Sequence, residues 1–312
     1  MDFYHTSVLL QEAVEALNIC PDGCYIDATL GGGGHSAEIC RKLIGENGRL
    51  IGIDQDERAL VHAVSVLSKY SDKVTFVHSN FSDIKYIKSA ASVDLIDGVV
   101  MDLGVSSHQF DTPERGFSYN YDAPLDMRMD LSGGLSAYDV INDYSEADLT
   151  RVLWEYGQEK WSKRIAQFIC QRRASKPIQT TFELVSVIKA AVPKKARQDG
   201  KHPAKRTFMA IRIEVNQELE ILERSIRNFV GILRPGGRIC VITFHSLEDR
   251  IVKQMFRKLE SPCICPRELY KCACGKTSEL RVITKKPIIA SKEELEINNR
   301  AHSAKLRVAE KL

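Results

Sequence analysis

A chain of 312 residues, 44% apolar and 27% charged, is long enough for one large domain or two ordinary ones and too apolar to stay disordered. No apolar run approaches the roughly 20 residues of a membrane helix, and the opening stretch Met1–Asn18 carries acids where a signal peptide has a basic start and an apolar block. A net charge of +3 makes the whole chain nearly neutral, and nine unevenly spaced cysteines without a secretory leader point to reduced thiols in the cytoplasm.

Apolar residues at helical spacing predict a first helix over Val8–Leu17. The strand Cys24–Leu30 follows, then the glycine run Gly31–Gly34 and a helix from Ser36 to about Leu43. A strand over Arg49–Asp54 precedes a helix across Glu57–Leu67. After it come a strand over Lys73–Ser79 and the apolar run Asp97–Gly104. Short apolar runs alternating with helices predict βαβ units and a parallel sheet buried on both faces. From 106 to 134 the chain turns irregular, and so long a loop is uncommon unless it serves a site. Helices are predicted over Ala137–Asn142, Glu146–Tyr156, Ser162–Arg173 and Phe182–Val192, then one long helix from about Thr207. Leu233–Ser246 reads as a turn and a strand, which restores the α/β pattern. The expected organisation is an α/β domain in two parts, 1–105 and 207–312, interrupted by a helical domain over 106–206.

The glycine run opens a helix directly after a strand, where glycines let a backbone approach a ligand closely. Free N–H groups of the helix start then face that ligand. Asp54 ends the second strand some twenty residues later, placed to accept hydrogen bonds from ribose hydroxyls. Gly32, Gly34 and Ala37 also satisfy G-x-G-x-x-A, so a dinucleotide cofactor competes. Asp27, before the glycines, favours a cationic cofactor such as S-adenosylmethionine over a pyrophosphate, which it would repel. Asp27 capping local backbone groups is the alternative. Asp102 puts a further carboxylate at the carboxyl end of a strand, where ligands of open α/β sheets bind.

Charge is unevenly distributed. Residues 106–155 hold three Lys/Arg against ten Asp/Glu, and residues 156–206 hold thirteen against three. The basic half, with the tract Pro193–Arg206, suits a phosphate backbone, although a solvated face would look the same. The loop Arg115–Asp130 offers Phe117, Tyr119 and Tyr121 for base stacking and Arg115 and Arg128 for polar contacts. In Phe244–Arg250, Ser246 is expected to cap a helix with Asp249 at the third helical position. Cys263–Gly275 presents two C-x-C pairs, Cys263 with Cys265 and Cys272 with Cys274. Four thiols in a short loop suit a structural tetrahedral zinc, although C-x-x-C is the commoner spacing. Whether they bind metal stays open, and no catalytic metal is expected.

The strings HTSVLLQEAV (His5–Val14), DATLGGGGHS (Asp27–Ser36), DLGVSSHQFD (Asp102–Asp111) and ERGFSYNYDAPLDMRMD (Glu114–Asp130) carry a resemblance. So do KHPAKRTFMAIRI (Lys201–Ile213), PGGRICVITFHSLEDRIVK (Pro235–Lys253) and NRAHSAKLRVAEK (Asn299–Lys311). From end to end and in this order, the chain resembles the bacterial 16S ribosomal RNA cytosine-N4 methyltransferases, the RsmH or MraW family. The resemblance implies a class I, Rossmann-like, S-adenosylmethionine-dependent methyltransferase fold with an inserted helical recognition domain. It implies methylation of the exocyclic N4 of a cytidine in the decoding region, with 16S rRNA in the small ribosomal subunit as partner. No obligate protein partner is evident. Carried over by position, it implies cofactor contacts at Gly33, Gly34, His35, Asp54, Phe81, Asp102 and Gln109. Asp102, or a backbone carbonyl of Leu103–Val105, is the candidate acceptor for an amine proton.

Overall fold

The computed structural model describes residues 7–197, 202–266 and 273–312. His5 and Thr6 of the first string, Lys201 of the basic tract and Cys272 of the second C-x-C pair lie outside the described residues. In chain order the chain forms α1 (Leu10–Ala16), β1 (Cys24–Asp27), α2 (Gly34–Lys42), β2 (Arg49–Asp54), α3 (Glu57–Val66), β3 (Val74–His78), α4 (Ile84–Ala91) and β4 (Ile96–Asp102). Then come α5 (Ser107–Asp111), α6 (Ala137–Asp143), α7 (Glu146–Glu155), α8 (Ser162–Arg173), α9 (Thr181–Ala191) and α10 (Lys205–Asn216). The last part forms α11 (Glu218–Ile232), β5 (Leu233–Thr243), α12 (Ser246–Glu260), β6 (Leu280–Val282), α13 (Lys292–Ile297) and β7 (Lys305–Lys311). One compact unit holds the described residues up to Gly104 and from Leu219 onward, and a second holds those of Val105–Glu218.

In the first unit the sheet order is β3-β2-β1-β4-β5-β7-β6. The strands β3 to β5 run parallel, while β7 enters antiparallel between β5 and β6. Side chains of a strand alternate between faces, and both faces are covered. Ile26, Val99, Met101, Ile239 and Val241 join one apolar cluster with α4, α11 and α12. Tyr25, Val100, Cys240, Ile242 and Val308 join another with α1 and α2. That double burial is why β4 and β5 read as continuous apolar runs. Phe229 of α11 is wholly buried in the first cluster. Phe229→Ala is therefore expected to lower the unfolding free energy by about 3–5 kcal/mol, read from the urea midpoint. A loss below about 1 kcal/mol would show that α11 does not carry this face.

The second unit is a helical bundle around Val140, Leu149, Val152, Ile165, Ile169, Leu184, Ile188, Phe208 and Ile211. Ser136 starts α6 in a capping box with Asp139, and Ser145 and Thr180 cap α7 and α9. The long irregular stretch is pinned to these helices. Buried Arg115 donates to the carbonyls of Arg128 (2.8 Å) and Met129 (3.0 Å). Asn216 takes the Met129 N–H on its amide oxygen and donates to the Met127 carbonyl, both at 2.8 Å.

The one long helix expected from about Thr207 is two helices. Gln217 adopts φ +52°, which ends α10 at Asn216. Arg212 holds the break with two 2.7 Å hydrogen bonds to Glu218. The second unit consequently ends at Glu218 rather than at 206. Apolar periodicity runs through the break and cannot reveal it.

Candidate active site

Because β1, β2 and β4 are parallel neighbours, the aspartates that end them, Asp27, Asp54 and Asp102, share one edge of the sheet. Asp54 organises the glycine turn. Its Oδ2 accepts the Gly31 N–H at 2.8 Å and its Oδ1 the Asp56 N–H at 2.9 Å. Burial pushes its carboxyl up to about 6. A carboxylate has about four lone-pair sites, so acceptor capacity remains for a ligand hydroxyl. Gly31 and Gly33 adopt φ +48° and +78°, conformations that only glycine takes without strain. A Cβ on Gly34 would fall 2.0 Å from Ser7 Oγ, whereas one on Gly32 meets no atom of the described residues within 4 Å. The turn is thus closed on the Gly34 side and opens at Gly32.

Asp27 is a brace. It is 1% exposed, accepts the Ser36 hydroxyl at 2.7 Å and the Thr29 N–H at 3.2 Å, and so ties α2 to β1. Burial pushes its carboxyl up to about 6 as well. Of the two readings of Asp27, local capping has direct partners.

Asp102 is different. Its backbone N–H donates to Thr29 Oγ1 at 2.6 Å, but its buried Oδ1 has no hydrogen-bond partner among the described residues. Burial, then the carboxylates of Asp27 and Glu248, hold its carboxyl well above the ordinary aspartate value. Beside it, His35 is 5% exposed, with Nε2 3.1 Å from the Val8 carbonyl. A carbonyl only accepts, so Nε2 carries the proton. Burial lowers the imidazole to about 4, which leaves it neutral at pH 7. Its Nδ1 lone pair therefore faces Asp102 Oδ2 at 3.9 Å, beyond hydrogen-bond reach. In its ionised form Asp102 would, like neutral His35, be an acceptor, so neither would supply the other with a proton.

Gly33, Gly34, His35, Asp54 and Asp102 thus come together in the first unit. Phe81 follows β3 and packs, half-buried, against the apolar cluster of that unit. Gln109 belongs to the second unit. It is 4% exposed, and its side-chain oxygen accepts the Ser106 N–H at 3.1 Å in the capping box of α5. Sequence reasoning passed over Thr29, Ser36 and the charge of Glu248. The hydroxyls in DATL and GHSAE were the available signal for the first two.

Other expectations change. His245, not Ser246, caps α12, and Glu248 rather than Asp249 stands at its third position. Asp249 instead pairs with Arg307 at 2.6 Å and Lys305 at 3.4 Å. In the second unit Phe117 is core, and Tyr119 stacks on His202 with centroids 4.4 Å apart. Tyr121 stays 52% exposed. Arg115 serves backbone carbonyls, and Arg128 chelates Asp126. The loop's polar and aromatic residues are mostly spent on its own fold. Lys194, Lys195, Lys205 and Arg206 are exposed.

A parallel sheet with an antiparallel seventh strand inserted before the edge, a glycine turn after β1 and acidic ends on β1, β2 and β4 define a class I, Rossmann-like methyltransferase fold. The dinucleotide-binding order 3-2-1-4-5-6 has no such insertion. The chain belongs to the MraW methylase family, whose family model matches residues 2–312. It is 58% identical over 312 residues to a ribosomal RNA small subunit methyltransferase H of Clostridioides difficile, with all of both chains covered. Its identity to the protein of that name from Brevibacillus brevis is 55% over 312 residues, covering 100% of this chain and 99% of that one. Among solved structures, an rRNA methylase from Streptococcus thermophilus aligns with TM-score 0.41 at 10% identity, over 97% of this chain and 93% of that one.

Proposed function

We propose that this protein transfers a methyl group from S-adenosyl-L-methionine to the exocyclic N4 of a cytidine in the decoding region of 16S ribosomal RNA, acting on the small ribosomal subunit. Ribosomal subunits are cytoplasmic, and so is the proposed activity. The observation that carries the reading is Asp102, whose buried carboxylate oxygen at the carboxyl edge of the sheet has no hydrogen-bond partner among the described residues. Such an atom costs free energy unless a donor arrives, and an amine N–H is one.

The residues present fit the cofactor. S-adenosylmethionine brings an activated methyl on a sulfonium, together with an amino group and a ribose diol. The spare lone pairs of Asp54 suit the diol, the α2 start and the open turn at Gly32 leave room for close backbone approach, and Phe81 offers an aromatic face for the adenine. Gly33, Gly34 and His35 shape that turn. Cytosine N4 is a poor nucleophile because its lone pair is delocalised into the ring. Asp102, ionised, accepts one N4 hydrogen, which favours the pyramidal amine and removes its proton as the methyl is taken. Alignment of N4 with the methyl supplies the rest. A stacked cytosine cannot reach such a site, so the target is unpaired or flipped out.

Two results follow. Asp54, raised to about 6, must be ionised to accept strongly from hydroxyls. Cofactor affinity is expected to fall about tenfold between pH 7.5 and pH 5 by calorimetry, and to fall as pH drops rather than as it rises. Affinity independent of pH would remove Asp54 from the contact. Replacing Lys194, Lys195 and Lys205 by alanine should weaken binding to small subunits and reduce the slope of log affinity against log salt by about 2–3. An unchanged slope takes the tract out of the RNA interface.

A further inference from the structure

We infer that Cys263, Cys265 and Cys274 hold one structural zinc ion that fastens the segment between α12 and β6. The three thiols come from both ends of this segment, yet their sulfur atoms all lie within 4.8 Å of one another. Cys263 Sγ and Cys274 Sγ are 3.9 Å apart. That is nearly twice the roughly 2.05 Å of a disulfide. It matches the edge of about 3.8 Å of a tetrahedron whose centre lies about 2.3 Å from each sulfur, the zinc–thiolate distance. The Ala273 N–H is directed at Cys265 Sγ at 3.3 Å, and a backbone donor of this kind orients a metal-bound thiolate and takes up part of its charge.

Ordinary packing does not account for the cluster. Reduced cysteines gather in cores as small apolar groups, but Cys263 is exposed and Cys265 and Cys274 are half-buried. Ile264 between the first pair is 70% exposed. None of the described residues in 261–266 and 273–279 is buried, and none lies in a helix or strand. Apolar burial therefore offsets little of the entropy of ordering this stretch. Its base is clamped: the Glu279 N–H donates to the Leu259 carbonyl at 2.9 Å, and the Val282 N–H to Glu260 Oε1 at 2.8 Å. A thiolate-bound metal above that clamp supplies the missing fastening. Thiolates in tetrahedral array select zinc over the hard oxygen-loving cations. The site lies outside the candidate catalytic residues, and its role is to hold the approach to edge strand β6.

The full-length protein, purified under reducing conditions without chelator, should contain about one zinc per chain by elemental analysis. The Cys263→Ser/Cys265→Ser/Cys274→Ser variant should contain almost none, and a Cys20→Ser/Cys170→Ser control should keep its zinc. Should the triple variant fail to fold, metal-stripped wild type answers the same question by titration with cobalt(II). Thiolate-to-cobalt charge-transfer bands should saturate at about one equivalent and vanish on adding zinc. Absence of both zinc and the cobalt bands would overturn the inference. So would iron in place of zinc, or a Cys263–Cys274 disulfide found by mass under non-oxidising preparation.

Discussion

Asp102→Asn should lower single-turnover methylation of small ribosomal subunits by about 10²–10⁴-fold, the range of a lost general base. Asparagine keeps the size of the side chain and leaves the backbone hydrogen bond to Thr29 Oγ1 in place. It removes the charge and turns one of two acceptor oxygens into a donor. The pH profile sharpens the test. Burial and the charges of Asp27 and Glu248 raise the Asp102 carboxyl, and only its ionised form accepts a proton. Wild-type methylation should therefore decline as pH falls through the raised value, and the variant should lose that limb. A variant with undiminished turnover and undiminished cofactor affinity would remove Asp102 from both the amine and the cofactor. One that loses affinity alone, with turnover at saturating cofactor intact, would leave it a binding residue.

Asp54→Ala should weaken cofactor binding by about 10–100-fold, because hydrogen bonds to a charged group are worth about 1.5–3 kcal/mol. The loss has two sources. One is the proposed ribose contact, and the other is release of the Gly31 and Asp56 N–H groups that the carboxylate now holds. Asp54→Asn keeps one acceptor oxygen and should fall between wild type and alanine. Calorimetry with S-adenosylmethionine gives the affinity, and urea unfolding gives the stability separately. If alanine lowers stability while the affinity stays within about twofold, Asp54 supports the turn without touching the ligand.

Much of the carboxyl edge of the sheet is legible in the sequence. The aspartates that end β1, β2 and β4 stand out because a buried parallel strand is apolar until its carboxyl end. What a sequence does not disclose is which partner each carboxylate finds. Asp27 and Asp102 read alike as strand-terminal acids, yet one accepts from Ser36 and Thr29 and the other keeps an oxygen with no partner among the described residues. The neutral state of His35 comes from its burial in the fold, while its hydrogen bond to the Val8 carbonyl, 27 residues away, pulls the other way and fixes only the tautomer. The antiparallel entry of β7 is likewise a tertiary choice that periodicity cannot register. The loop Arg115–Asp130 misled for a related reason: aromatic and basic residues that suit RNA equally suit a loop that must pack against its own helices. Phe117 and Arg115 do the latter. The break at Gln217 rests on the Arg212–Glu218 and Asn216 contacts, which leave the apolar repeat untouched.

The most direct test is incubation of unmethylated small ribosomal subunits with methyl-labelled S-adenosylmethionine and the protein, followed by digestion and mapping of the labelled nucleotide. The account predicts N4-methylcytidine at one position of the decoding region, with Asp102→Asn leaving the same position nearly unlabelled. Label on a ring carbon, on a ribose or outside 16S rRNA would contradict it.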